Sequence, residues 1–174
     1  ELGEMLFTHT GVSGPLVLSA SAYMDGAAGD YAMAVDLKPG LTPEQLDARL
    51  LRDLDDNKNR DLGNTLQLLL PRPMVPVVLG LCAVPPDTKG HQLTKAQRRL
   101  LIETVKGFPL RPRRLGPMEE AVVTAGGVSL KEVDPKTMAS KLVRGLYFAG
   151  EMLDLDGYTG GYNLQIAFCT GRAA

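Results

Sequence analysis

Residues 148–165 read FAGEMLDLDGYTGGYNLQ, from Phe148 to Gln165. An apolar run ends at a small residue and an acid, a glycine-rich loop carrying two more acids follows, and a helical pattern then begins. A strand ending in Ala149-Gly150 brings bare backbone to a sheet edge. Glu151 is expected at its carboxyl end, where ligands bind in open α/β sheets. Gly157, Gly160 and Gly161 let the backbone approach a ligand closely. Asn163 or Thr159 is expected to cap the final helix, whose free N–H groups and positive dipole end face the same spot. The stretch therefore offers a carboxylate for hydroxyl groups and N–H donors for an anionic or carbonyl edge. The plain alternative is a tight strand–loop–helix connection with solvated acids. A calcium loop is disfavoured, since Asp154-Leu155-Asp156-Gly157 has neither the third ligand before its glycine nor the closing glutamate.

Gross composition narrows the setting. In 174 residues, 44% are hydrophobic and 22% charged, the balance of a globular protein. A net charge of −1 and the absence of tryptophan give no reason to expect nucleic acid or a membrane surface as partner. The two cysteines, Cys82 and Cys169, lie far apart in apolar settings and are expected to be buried thiols. Two histidines, His9 and His91, are too few for a histidine-based metal site, so no metal is expected. His91 reads as solvent-facing, as do Arg111, Arg113 and Arg114. The apolar run Met74 to Val84 is interrupted by Pro76 and too short to span a bilayer. No signal peptide is visible, so a cytoplasmic location is the default. The chain starts at Glu1 rather than Met and reaches Ala174 with a helical pattern still running, and is expected to be a piece of a larger protein.

The rest of the chain reads as short strands around a helical middle. Leu2 to Thr10 is expected as a strand entering a loop. Ser13 is expected to cap a helix over Leu16 to Met24 with Pro15 in its first turn. Asp25 to Asp30 reads as a turn and Tyr31 to Leu37 as a strand. Thr42-Pro43-Glu44-Gln45 is a capping-box sequence, followed by Leu46, Leu50, Leu51 and Leu54 on one helical face. Asn64 is expected to start a helix through Leu70, and Met74 to Val84 to form another. Thr94-Lys95-Ala96-Gln97 repeats the capping box, with Leu100, Leu101 and Val105 as apolar face and Gly107 as the stop. Beyond it, Leu110–Leu115 and Met118–Thr124 are expected as an antiparallel pair. Val128 to Val133 and Leu146 to Ala149 read as short strands, with a turn over Asp134 to Met138. The fold class is α+β.

Three stretches carry a resemblance. GLYFAGEMLDLDGYTGGYNLQIAFCTGRAA (Gly145 to Ala174) resembles the C-terminal flavin-binding segment of the bacterial HI0933-like flavoproteins, a family of NAD(P)/FAD-dependent oxidoreductases. EEAVVTAGGVSLKEVDPKTMASKLV (Glu119 to Val143) resembles the segment before it, and GEMLFTHTGVSGPLVLSAS (Gly3 to Ser21) the start of the family's inserted region. The resemblance implies an FAD domain, a β-rich domain inserted in it, and a helical domain inserted further in. On that plan residues 1–40 are part of the β-rich insertion, 41–107 an inserted helical bundle, 108–144 the return strands and turns, and 145–174 the FAD-binding segment. It implies that Glu151 hydrogen-bonds the ribityl chain of FAD. Gly160, Gly161, Tyr162 and Asn163 would line the pyrimidine edge of the flavin, and Thr124, Gly126 and Gly127 a close-packed turn beside it. His9 would face flavin or substrate, whereas read alone a single histidine is more often structural.

The resemblance implies hydride transfer between a small molecule, NAD(P)H as one partner, and flavin. No catalytic base is assigned. No Gly-x-Gly-x-x-Gly occurs in the chain, so the element that holds the FAD pyrophosphate is missing. The chain alone is expected to be inactive and to bind FAD weakly or not at all, and its apolar faces to self-associate. The alternative is an autonomous α+β module that binds a ligand or partner without redox chemistry.

Overall fold

The computed structural model describes residues 2–24 and 26–174; Asp25, at which the expected turn begins, and Glu1 lie outside the described residues. The described residues form a mixed α+β structure with six α-helices and two two-stranded antiparallel sheets. The chain divides into two compact units: Tyr31–Pro112, and Glu1–Asp30 together with Arg113–Ala174.

The unit Tyr31–Pro112 is built from helices that the sequence punctuates clearly. Helix α2 (Pro43–Asp56) starts at the expected capping box: Thr42 Oγ1 accepts from the Gln45 N–H (3.2 Å) and the Thr42 N–H donates to Gln45 Oε1 (2.9 Å). Helix α5 (Lys95–Lys106) repeats this with Thr94 and Gln97 and ends at Gly107. Each box satisfies two of the N–H groups that a helix start leaves unpaired. Between them lie α3 (Leu62–Thr65), extended by a 3-10 turn at Leu66–Leu68, and α4 (Met74–Leu81). Asp61, not Asn64, occupies the N-cap of α3.

Leu46, Leu50 and Leu54 of α2 meet Leu62, Leu66, Val78, Leu79, Leu101 and Val105 in one core. Two expected core positions point outward instead. Leu51 and Leu100 are 43% and 42% exposed, and Ile102 is buried in place of Leu100. The Leu46, Leu50, Leu54 stripe recurs every four residues and leaves Leu51 off its edge. Cys82 is buried as expected, its thiol donating to Thr104 Oγ1 at 3.4 Å. His91 is exposed, with Nδ1 2.9 Å from the Lys58 carbonyl oxygen.

Strand β3 (Met33–Val35) pairs with β4 (Phe108–Leu110), in the register Val35 opposite Phe108. This corrects the expected pairing of Leu110–Leu115 with Met118–Thr124. Pro112 and Pro117 carry no N–H for a ladder. Met118–Glu120 closes into a 3-10 turn, and the buried ring of Phe108 draws its strand onto the helical core.

In the other unit, β1 (Leu6–Phe7) and β2 (Val12–Ser13) form a hairpin. Helix α1 (Pro15–Ser21) follows with Pro15 in its first turn, but its N-cap is Gly14 at φ 100° and not Ser13, which is taken up in β2. A Cβ at Gly14 would meet Glu4 O and Leu6 N at 3.1 Å, so the turn back onto the hairpin favours glycine here. The expected strands Val128–Val133 and Leu146–Ala149 are not sheet strands. Single bridges join Val128 to Leu153, Val133 to Ser140 and Ala139 to Tyr147, and Leu130–Glu132 is a 3-10 turn. These bridges close a small core of Val133, Met138 and Leu153, with Val128 and Phe148 packed on it. The turn at its corner is fixed by Asp134, whose Oδ1 accepts from the N–H groups of Lys136 (2.8 Å) and Thr137 (3.2 Å).

Two predictions follow from this packing. Leu66→Ala removes a fully buried side chain and should cost about 2–5 kcal/mol. Leu68→Ala, on a half-exposed neighbour, should change stability by less than about 0.5 kcal/mol; urea denaturation followed by helical circular dichroism checks both. Asp134 is held below its ordinary value of 3.8, first by the Lys136 N–H, next by that of Thr137 and to a lesser degree by the charge of Lys141. Its depressed folded value means that the turn's stabilisation is complete above 3.8 and is lost as pH falls through the lower folded value. The protection factor of the Met138 N–H, which donates to the Asp134 carbonyl (2.8 Å), should therefore fall in acid once the intrinsic exchange rate is divided out. Asp134→Asn, which keeps an acceptor but does not titrate, should abolish that acid limb.

Candidate functional site

The candidate site is assembled around the loop that joins Phe148 to the last helix. Gly150–Met152 is a 3-10 turn, so Glu151 sits in a turn after an extended, singly bridged segment rather than at the end of a sheet strand. Its side chain is exposed. Gly150 takes φ 70°, and its N–H donates to Thr170 Oγ1 (2.9 Å), whose own hydroxyl donates to the Ile166 carbonyl (2.7 Å). This anchors the Glu151 turn to the side of helix α6 (Tyr162–Ala173).

The Gly126–Gly127 turn meets the same segment from the other side. A Cβ on Gly127 would lie 2.7 Å from Met152 O, 2.8 Å from Leu153 C and 2.9 Å from Asp154 N. Only a glycine, here at φ 146°, admits that approach without displacing backbone. The contact is locked by two hydrogen bonds, from the Val128 N–H to Met152 O (2.8 Å) and from the Asp154 N–H to Val128 O (3.0 Å). Thr124, Gly126 and Gly127 thus lead, exposed, into the segment that carries Glu151.

Asp154, Asp156, Gly160, Gly161 and Tyr162 are exposed along the loop and the start of α6. Asn163 does not cap that helix, nor does Thr159. The N-cap is Gly161, in the left-handed region at φ 95°, and no side-chain bond caps the helix start. Asn163 is committed elsewhere: its Nδ2 donates to Gly157 O (2.8 Å) and its Oδ1 accepts from the Gly157 N–H (2.7 Å). This two-way clip folds the loop back onto the helix. The first intrahelical bond from the cap runs from the Gln165 N–H to Gly161 O (3.0 Å). The N–H groups of Tyr162, Asn163 and Leu164 precede it and mark the positive end of the helix.

His9 stands exposed at the tip of the β1–β2 turn, which Thr8 Oγ1 braces by accepting from the N–H groups of Thr10 (3.3 Å) and Gly11 (3.1 Å). Cys169, expected to be buried, is exposed, because α6 has no buried residue; Gln165 Nε2 donates to its sulfur at 3.1 Å. Three residues that sequence reasoning passed over help to hold the loop. Thr170 binds Gly150 across twenty residues, and the hydroxyls of Tyr23 and Tyr158 hydrogen-bond across 135 residues. Separations of that size leave no local pattern, whereas the six-residue spacing of Gly157 and Asn163 was in principle readable. Among the described residues, no helix is long and apolar enough to cross a membrane.

The fold is of the α+β class, and comparison with known proteins supplies the family. Residues 1–123 match the model of the HI0933-like protein barrel and H2TH domain. The chain belongs to the HI0933-like family. It is 35% identical over 170 residues to the ribosomal RNA dihydrouridine synthase of Escherichia coli (strain K12), covering 98% of this chain and 41% of that protein. The ribosomal RNA dihydrouridine synthase of Haemophilus influenzae is 32% identical over the same shares. The 3-dehydro-bile acid delta(4,6)-reductase of Clostridium scindens is 33% identical over 179 residues, 100% of this chain and 43% of that protein. The chain therefore spans about two fifths of the length of the curated relatives it matches.

The clip yields a direct test. Asn163→Ala removes both bonds to Gly157 while leaving the backbone of α6 intact. Exchange of the Gly157 amide should accelerate at least about tenfold, the equivalent of one net hydrogen bond. Protection of the Asp154 amide, held by Val128, should stay within a factor of about two.

Proposed function

We propose that this chain is the C-terminal part of an FAD-dependent oxidoreductase that reduces a carbon–carbon double bond conjugated to a carbonyl. The observation that carries the reading is the short loop Asp154–Gly161, which links the Glu151 turn and its contact with Gly126–Gly127 to the open start of α6. Its residues fit a flavin edge. Gly160 and Gly161, at φ 114° and 95°, present backbone without side chains. A Cβ on Gly161 would meet nothing within 4 Å, so a planar ring has room to approach. When bound, the flavin supplies the two electrons of the reduction as a hydride, with NAD(P)H as their source. The exposed Glu151 carboxylate accepts hydrogen bonds from ribityl hydroxyls. The N–H groups at the start of α6 and its dipole hold the negative charge of the pyrimidine edge. Tyr162 and Asn163 line that edge, Asn163 chiefly by holding Gly157, and Thr124, Gly126 and Gly127 back the Glu151 turn.

The names of the relatives support the type of reaction. Making dihydrouridine from uridine and removing a delta(4,6) unsaturation both add hydrogen across a double bond conjugated to a carbonyl. For the substrate, the near-neutral charge of this chain favours a small conjugated enone, with His9 near it. The two dihydrouridine synthases favour a second reading, in which the acceptor is a uracil base in ribosomal RNA. Either agrees with a cytoplasmic setting. The pyrophosphate of FAD would be held by sequence outside these residues, as the missing glycine motif requires. On α6, Leu164 and Phe168 are 65% and 72% exposed; we propose that the remainder of the flavin domain covers them, and that a second copy does so in the isolated chain.

Flavin titration of the 174-residue chain and of the full-length flavoprotein tests this reading. Binding by the longer form alone is expected, with Glu151→Ala lowering its affinity about 10- to 100-fold, the effect of one or two lost charge-assisted hydrogen bonds. Unchanged affinity in that variant would remove Glu151 from the site. No binding by either form would leave the autonomous binding module in its place. Offering the reduced protein a conjugated enone and an unmodified ribosomal RNA separates the two substrates.

A further inference from the structure

The loop from Asp154 to Gly161 is tied at three points. Its first residue is bonded to Val128, and Gly157 is clipped by Asn163. The third tie is the hydrogen bond between the hydroxyls of Tyr158 and Tyr23, with ring centroids 6.4 Å apart and planes tilted by 47°. Tyr158 lies two residues before Gly160–Gly161, a step of two glycines that the backbone can turn through freely. Tyr23 is itself fixed at the end of α1, its N–H donating to Ala20 O (3.2 Å), and α1 is fixed to the hairpin by the Leu16 N–H donating to Glu4 O (3.1 Å). The tie thus runs from the hairpin and α1 to the part of the loop that follows the Gly157 clip.

Both tyrosines are substantially exposed, 62% for Tyr23 and 48% for Tyr158. Burial of their rings therefore does not account for the pairing, and the hydroxyls are where the two elements meet. A tether next to two glycines removes loop conformations before any ligand arrives, which is how preorganisation raises affinity.

We infer that Tyr23 and Tyr158 are a positioning pair that presets the Gly160–Gly161 backbone and the start of α6 for the flavin edge. The inference rests on the flavin reading above. The site's N–H groups and dipole favour negative charge, so the tie holds reduced flavin more tightly than oxidised flavin. Neither tyrosine is assigned a proton or electron in the reaction.

Y23F, Y158F and the double variant of the full-length flavoprotein test it, each removing only hydroxyl oxygens. Affinity for oxidised flavin should fall about tenfold in either single variant and no further in the double variant, the non-additivity of one shared bond. Affinity for reduced flavin should fall further than that for oxidised flavin, so the midpoint potential of the bound flavin should move negative. Additive losses, or a lowered melting temperature with potential and affinity unchanged, would overturn the assignment and leave the pair a structural contact. Absence of flavin from the unmutated protein would instead defeat the flavin reading itself, so the two failures are distinguishable.

Discussion

The backbone of Gly127 lies against the backbone of Met152 to Asp154, nearer than any side chain would allow, and the candidate site depends on that approach. It sets the parallel bridge between Val128 and Leu153. The bridge places Leu153 inward, where it completes a core with Val133 and Met138, and leaves Glu151 and Asp154 outward on either side. One close contact of bare backbone therefore decides both what is buried and which carboxylates are presented. A side chain at position 127 would have to displace the segment carrying Glu151, so packing and site geometry are a single constraint here.

The two units are stabilised differently. Tyr31–Pro112 has a core of sixteen buried residues from four helices and a strand, enough apolar surface to offset the ordering of its chain. The other unit has a compact core of three and is held by turns, single bridges and side-chain-to-backbone bonds. Asp134, Ser140, Asn163 and Thr170 each satisfy backbone groups that a sheet would otherwise pair. Many of its other large apolar side chains, Met118, Leu142 and Phe168 among them, remain exposed.

What was legible in the sequence was local. Thr42–Gln45 and Thr94–Gln97 each specify a helix start within four residues, and both capping boxes form as read. The α+β class followed from such signals. The pairing of β3 with β4 joins residues 33–35 to 108–110 across the whole helical region, and no short-range pattern encodes it. The arginine-rich stretch that looked like a strand carries Pro112 and is followed by Pro117, and both withhold the N–H group a ladder needs. Sheet strands were over-read at Leu146–Ala149 for a similar reason: the apolar run is real, but its partners supply single bridges rather than a ladder.

The glycines at the start of α6 show why site residues are harder to read than elements. Asn163 follows a turn and precedes a helix, a setting in which an asparagine ordinarily caps. In the structure Gly161 takes the cap position in a left-handed conformation, which frees the Asn163 amide to bond Gly157 with both its donor and its acceptor. A capping asparagine would occupy the helix N-terminus with its own oxygen. A capping glycine leaves those N–H groups unshielded by a side chain, and the asparagine two residues on folds the loop back onto the helix through Gly157. The glycine at the cap and the asparagine at the loop thus act as one arrangement: the helix gives up a side-chain cap, and the asparagine that would have supplied it fixes the preceding loop instead.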